Sequence, residues 1–293
     1  MRILSIPEKS KSLAYLELTK PRITWMILVA TALGFFLGSK GSVDFDTFLS
    51  TLFGSGLVSS GAGALNHFAE KDSDSLMKRT RLRPIQTGVV SSENVRYFGI
   101  ALIIFGTLIL YFFVNPVVTV LALVTTLLYL FIYTPLKKIT WLNTTIGAIP
   151  GALPPVGGWA AASGRLDPES WVLFFILFFW QHPHFFAIAL MYRDDYKRAN
   201  LQMLPSIEKT SSRTKRQIVW HLFLLLPVSL IPFYIGLLGP MYLIGAVVLG
   251  LIYLLSGLQM IKSYTLKSAR TLLRVSIIYL PVLFLIIIFD IFS

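Results

Sequence analysis

The sequence predicts an all-α fold, a polytopic membrane bundle of about nine transmembrane helices. Three observations carry this expectation. The 293 residues are 55% hydrophobic and only 14% charged, with a mean hydropathy of +0.71, too apolar for a water-soluble domain of this length. Apolar runs recur along the whole chain, and crossing ~30 Å of hydrocarbon takes about 20 helical residues. Apart from Lys40 and Arg165, all of the 26 Lys and Arg residues fall on one side of a nine-span arrangement, the asymmetry that orients membrane proteins.

Taken in order, residues 1–22 form an N-terminal segment in which Glu8 and Glu17 argue against a transit peptide and no cleavable signal pattern is expected. Residues 23–293 form a single transmembrane domain. Pro21-Arg22 opens the first span, 23–38, which is short. The second, 47–66, runs straight into a dense stretch of charge. Only Asn115-Pro116 separates the third, 97–114, from the fourth, 117–134. The fifth, 144–162, carries Gly147 and Gly151, which with Gly61 and Gly63 of the second suit close helix packing better than ligand binding. In the sixth, 171–191, Pro183 should kink the helix about two turns before its end. Spans 218–238, 241–261 and 272–292 are plain apolar runs.

The basic asymmetry places the N-terminus and the long loops 67–96 and 192–217 in the cytoplasm and the C-terminus outside, in a bacterial-type plasma (inner) membrane. Both long loops follow spans four helices apart, which suggests two parallel four-helix half-repeats plus one helix. With no cysteine, disulfides, thiolate metal sites and thiol nucleophiles are excluded. Nucleic-acid binding is disfavoured, because the bases are divided among short loops.

The richest chemistry follows the second span, in Asn66-His-Phe-Ala-Glu70-Lys71-Asp72-Ser-Asp74 and then Met77-Lys78-Arg79-Thr80-Arg81-Leu82-Arg83-Pro84. Asn66, Glu70 and Asp74 recur every four residues and share one helical face at about 100° per residue. Asp72 lies on the far side and joins them only if the helix has frayed. Hard oxygen ligands at a membrane edge suit Mg²⁺ shared with a phosphate substrate. Lys71, Lys78, Arg79, Arg81 and Arg83 can neutralise the remaining phosphate charge. The competing reading is a solvated loop whose bases serve topology alone.

Acids and bases recur after the sixth span, in Arg193-Asp194-Asp195-Tyr196-Lys197-Arg198. A second carboxylate cluster there could let two metal ions bridge one diphosphate, with Lys197 beside it; an exposed, salt-bridged turn is the plainer alternative. Tyr133 and Lys137 close the fourth span, either as phosphate ligands or as interfacial anchors. His184 is either hydrogen-bonded packing or a group facing a cavity, able to carry a proton or ligate iron. His67 and His221 look interfacial.

These motifs resemble the UbiA superfamily of intramembrane prenyltransferases, in the form of its haem-farnesylating branch. Besides the acidic stretch, the similar segments are Thr19-Lys20-Pro21-Arg22, Tyr133-Thr-Pro-Leu-Lys137, Leu142-Asn143-Thr144, Gly147-Ala-Ile-Pro150-Gly151-Ala-Leu-Pro154-Pro155, Trp180-Gln181-x-Pro183-His184-Phe185 and Asp195-Tyr196-x2-Ala199-Asn200-x2-Met203-Leu204-Pro205, in family order over residues 15–210. The resemblance implies a nine-helix bundle open to the cytoplasm and to lipid, with Mg²⁺ and farnesyl diphosphate held by two acidic motifs. Asn66, Glu70 and Asp74 would hold the first metal and Asp195 would contribute to the second. Arg22, Lys137, Arg79 and Arg83 would steady the diphosphate. Haem B would be the acceptor, haem O the product, His184 a candidate iron ligand, and the next enzyme of haem A synthesis a candidate partner.

Two departures stand out. His67 replaces the acid that often follows the motif Asn, and Arg198 and Ala199 stand where a second acid would complete the later motif. Two other readings remain: a relative that prenylates an aromatic quinone precursor, and a transporter of an anionic substrate. A transporter would favour acids deep in mid-span, and Asp290, the one candidate, lies near the end of the last helix.

Overall fold

The computed structural model describes residues 10–291. A short helix, α1 (Lys11–Leu18), packs beside the bundle and leads through Thr19 and Lys20 into α2 (Pro21–Gly38), with Pro21 at the first helical position where its missing N–H costs nothing. α3 (Phe45–Ala69) returns across the bundle, capped at its start by Asp44. Glu70 interrupts the helix for one residue before α4 (Lys71–Leu76). After a loop, α5 (Ser92–Phe113) runs back, and Asn115 caps α6 (Pro116–Leu127) through its side chain. A π-helical turn, Leu128–Tyr133, and α7 (Thr134–Leu136) continue α6 to its end.

Next come α8 (Asn143–Ala152) and α9 (Pro154–Ser163), then α10 (Pro168–Met191), α11 (Arg193–Arg198), α12 (Leu204–Ile207), α13 (Ser212–Tyr234), α14 (Pro240–Ser263) and α15 (Leu266–Ile291). Among the described residues, eight helical stretches are long and apolar enough to cross a membrane. The protein is therefore all-helical and multi-pass. Large apolar side chains such as Phe105, Phe112, Phe113 and Phe289 stand on its outer surface, which suits a lipid solvent.

The fifth expected span is not one helix but two, α8 and α9, meeting at Leu153. Pro154 and Pro155 lack the N–H groups that the carbonyls of Pro150 and Gly151 would need, so the ladder stops there. End to end the pair still crosses the bundle. Asn143 at its start donates to Gln202 O, beside Lys137, and Trp159 near its finish donates to Asp167 at the opposite face. Residues 143–163 span about 30 Å at 1.5 Å per residue.

Two packing features place the functional face. α3 and α5 approach closely along Gly54 and Gly61 on one helix and Gly99 and Gly106 on the other. A Cβ at Gly61 would lie 2.6 Å from Gly99 O, and one at Gly106 2.6 Å from Gly54 O, so only glycine lets the backbones meet. The largest apolar core joins α2, α9, α10 and α13–α15 around the buried rings of Trp159, Tyr242, Tyr253 and Tyr279. His182 and His221 stack face to face in the α10–α13 interface, with ring centroids 3.6 Å apart. Each faces the carbonyl one turn earlier through Nδ1. His221 is thus packed between helices rather than interfacial.

Candidate active site

On the loop-rich face the backbone bonds Glu70 N→Asn66 O (2.9 Å) and Asp74 N→Glu70 O (2.8 Å) carry the four-residue ladder through the break between α3 and α4. The three side chains stay on one side, and each meets a base from elsewhere in the chain. Lys137 Nζ donates to Glu70 Oε1 at 2.6 Å, Arg83 Nη1 to Asp74 Oδ2 at 2.5 Å, and Lys20 Nζ to Asn66 Oδ1 at 2.5 Å. Asn66 and Asp74 are buried, and Glu70 is largely covered.

Lys20 has no place among the site residues expected from the sequence, although it sits at the centre of this cluster. It reaches Asn66 and also Tyr129 Oη, at 3.3 Å, from a left-handed backbone (φ 50°) at the N-cap of α2. That conformation costs an ordinary L-residue roughly 1–2 kcal/mol, and such strain persists where surroundings enforce it. The π-turn supplies the facing wall. Pro135 cannot donate a helical hydrogen bond, Thr134 Oγ1 donates to Tyr129 O, and Asn66 Nδ2 donates to Thr134 Oγ1 at 3.1 Å. Tyr129 and Tyr133 stack at 5.6 Å, and the Lys137 ammonium lies 4.4 Å from the Tyr133 ring centre.

Burial and pairing divide the charges unequally. Burial pulls the Lys20 ammonium down to about 7, against the opposing pull of Glu70 and with help from Lys137 and Arg83. Burial also disfavours a charged Lys137, but direct contact with Glu70 outweighs it and holds Lys137 above the usual lysine range. Lys20 touches a neutral amide instead, which accounts for the contrast. Burial would raise Glu70, yet Lys137 and then Lys20 hold it below the usual carboxylate range. For Asp74 burial wins over Arg83 and the carboxyl is raised. Its second oxygen, Oδ1, is buried without a partner.

The second loop docks on the first. Asp195 is buried and accepts from the backbone N–H groups of Lys78 and Arg79, both at 3.3 Å, and from Arg198. Arg79 lies between the rings of Tyr192 and Tyr196, with its guanidinium 5.3 and 5.2 Å from their centres, and donates to Tyr196 Oη at 3.1 Å. Asp195 therefore fastens one loop to the other. Asp194 and Lys197 are exposed, as are Asp72 and Arg22, and Lys71 turns its ammonium to the Phe68 ring. The structure does not gather these five with Asn66, Glu70 and Asp74. Asp72 stays apart because α4 resumes helical geometry at once, leaving residue 72 on the solvent side.

Asn66, Glu70 and Asp74 offer one amide oxygen and two carboxylates, and the partnerless Asp74 Oδ1 is an acceptor short of a donor or a cation. A hard cation that keeps waters and takes phosphate oxygens fits such a sparse, all-oxygen set. The later motif fits less well. Both Asp195 oxygens are committed, and among the described residues no cluster of three or more His, Cys, Asp or Glu side chains is poised to enclose a metal.

His184 lies deeper, on α10. Its Nδ1 is 2.8 Å from Ser276 Oγ on α15, and that hydroxyl gives its own proton to Leu273 O at 2.7 Å. Ser276 can then only accept, so Nδ1 carries the proton and Nε2 keeps its lone pair. Trp180 stacks on the imidazole at 4.9 Å and donates its indole N–H to Ser276 O.

Residues 27–284 match a family profile described as the UbiA prenyltransferase family. Among similar proteins, "Protoheme IX farnesyltransferase" of Solibacter usitatus is 46% identical, over 94% of this chain and 98% of that protein. That of Aquifex aeolicus is 41% identical, over 92% of each. Solved structures with the same fold include a digeranylgeranylglyceryl phosphate synthase (TM-score 0.79, 17% identity, 97% of this chain and 99% of that one). Another is a UbiA homologue from Archaeoglobus fulgidus bound to GPP and Mg²⁺ (TM-score 0.66, 16% identity, 94% of this chain and 99% of that one).

Proposed function

From the premise that this chain belongs to the UbiA prenyltransferase family, we propose that it transfers the farnesyl group of farnesyl diphosphate to a vinyl group of haem B, with addition of water, giving haem O and diphosphate. The observation that carries this reading is the convergence of Lys20, Lys137 and Arg83, from three separate elements, on one face of Asn66, Glu70 and Asp74. Several cations beside an all-oxygen donor set suit a diphosphate leaving group. The relatives at 36–46% identity bring haem as the acceptor.

In this reading Asn66, Glu70 and Asp74 hold Mg²⁺, which would supply positive charge at the departing diphosphate. Lys20, Lys137, Arg83 and Arg79 bind the remaining phosphate oxygens, and the phenols of Tyr129 and Tyr133 donate to them. The allylic C–O bond breaks with its electron pair going to the diphosphate. The vinyl π pair then forms the new C–C bond to farnesyl C1. The resulting cation, next to the porphyrin ring, takes up water, which loses one proton to solvent.

Cations fixed in advance where negative charge develops lower the barrier without reorganising, and the apolar bundle keeps water from the first cation. His184, its Nε2 lone pair free, holds the haem iron. The loop-rich face lies in the cytoplasm and the C-terminus outside, in the plasma membrane.

The test is the haem species extracted from membranes carrying this chain: haem O should appear, and Glu70→Gln or Asp74→Asn should abolish it while the protein still inserts and stays monodisperse. Undiminished haem O from both variants would sink the metal assignment. Prenylation of an aromatic quinone precursor, with no haem O formed, would sink the choice of acceptor.

A further inference from the structure

The same face holds a second recess, of about 650 Å³, between the end of α10, α11 and the turn joining α14 to α15. Leu190, Met191 and Leu266 give it apolar walls, and Lys78 and Arg193 stand among its polar lining. We propose that it binds the carboxylate side chains of the tetrapyrrole acceptor, with Arg193 and Lys78 as their counter-ions. This deepens the reading above and rests on it.

Three observations converge here. First, the recess has charge to spare. Asp195 and Arg198 also line it, but they neutralise each other. Arg193 spends Nη2 on Glu208 O at 3.1 Å, and its Nε is buried with no acceptor. A guanidinium short of acceptors is a ready partner for a planar carboxylate. Second, these cations are distinct from those of the acid cluster: Lys20, Lys137 and Arg83 are engaged with Asn66, Glu70 and Asp74, and Arg79 lies between the two places.

Third, the height is right. Arg193 follows His184 by nine residues, about 13 Å at the helical rise, the reach from an iron-ligating imidazole across a porphyrin to its acidic edge. A flat apolar ring with two acid groups on one edge would rest its body against Leu190, Met191 and Leu266 and bring its acids to the polar boundary. The exposed Asp194 carboxylate at the rim disfavours a doubly charged phosphate more than a singly charged carboxylate.

The test compares haem B with haem dimethyl ester, whose acid groups are blocked, by absorbance titration of the purified full-length protein in neutral detergent. Arg193→Met should weaken haem B binding at least ten-fold, leave the ester's affinity at its wild-type value, and leave the KM for farnesyl diphosphate unchanged. Lys78→Met should act in the same direction, more weakly. Unchanged haem B affinity in both variants, or an equal loss for haem B and the ester, would overturn the carboxylate site. So would an Arg193→Met effect seen only as altered binding of phosphatidylglycerol, which would assign the recess to lipid phosphate. Wild-type protein that bound neither haem B nor its ester would instead overturn the choice of acceptor itself.

Discussion

Ser276 sets which imidazole nitrogen of His184 is available, although the two residues lie 92 positions apart. A histidine that binds iron through Nε2 needs its Nδ1 proton directed elsewhere, and partners of this kind alter metal affinity by about 10–100-fold. Ser276→Ala should therefore lower haem affinity by about ten-fold and shift the Soret band, and Ser276→Thr, which keeps the hydroxyl, should restore both. A substitution that merely loosened packing would lower thermal stability without moving the band. The sequence pointed to His184 and was silent on Ser276, because their partnership depends on how α15 packs on α10. Lys20 shows the same limit. Asn66, Glu70 and Asp74 were legible because a local helical ladder sets their spacing. Lys20 enters the site only through a left-handed turn and a neighbouring helix, and no spacing rule records either.

Among the elements, the α3–α5 contact positions the acids, since α3 carries Asn66 at its last turn. Gly106→Val would drive a side chain into Gly54 O and the Val58 side chain. Overpacking of this kind typically costs about 1–3 kcal/mol, so we expect a lower melting temperature in detergent and lost prenyl transfer. Gly56→Ala, where the nearest atoms are the Leu28 methyls at 3.6 Å, should leave both unchanged and serves as the control. Helix number and order were largely readable from apolar run length, but two irregularities were not. The division of the fifth span at Leu153 is written in Pro154-Pro155, yet the apolar run continues across it. The π-turn at Leu128–Tyr133 leaves no mark on hydropathy at all.

At the scale of the whole molecule, the skewed distribution of bases makes a prediction about sidedness. The chain has no cysteine, so single cysteines can report exposure without background. Ser42→Cys, in the turn between α2 and α3, should react with a membrane-impermeant maleimide in intact cells. Thr210→Cys, before α13, should react only after permeabilisation. The opposite pattern would reverse the orientation and remove the cytoplasmic supply of diphosphate from the scheme. The π-turn has a wider consequence. It accommodates one residue more than a regular helix would, in a stretch that is hydrophobic on both sides. Deleting a single residue there, such as Phe131, would let the helix close into regular α geometry and turn everything after it by about 100°. Thr134 and Lys137 would then swing away from Asn66 and Glu70 while the span kept its length and greasiness. Biogenesis and chemistry would come apart at one codon: a protein that is made, inserted and retained by the cell, yet inert.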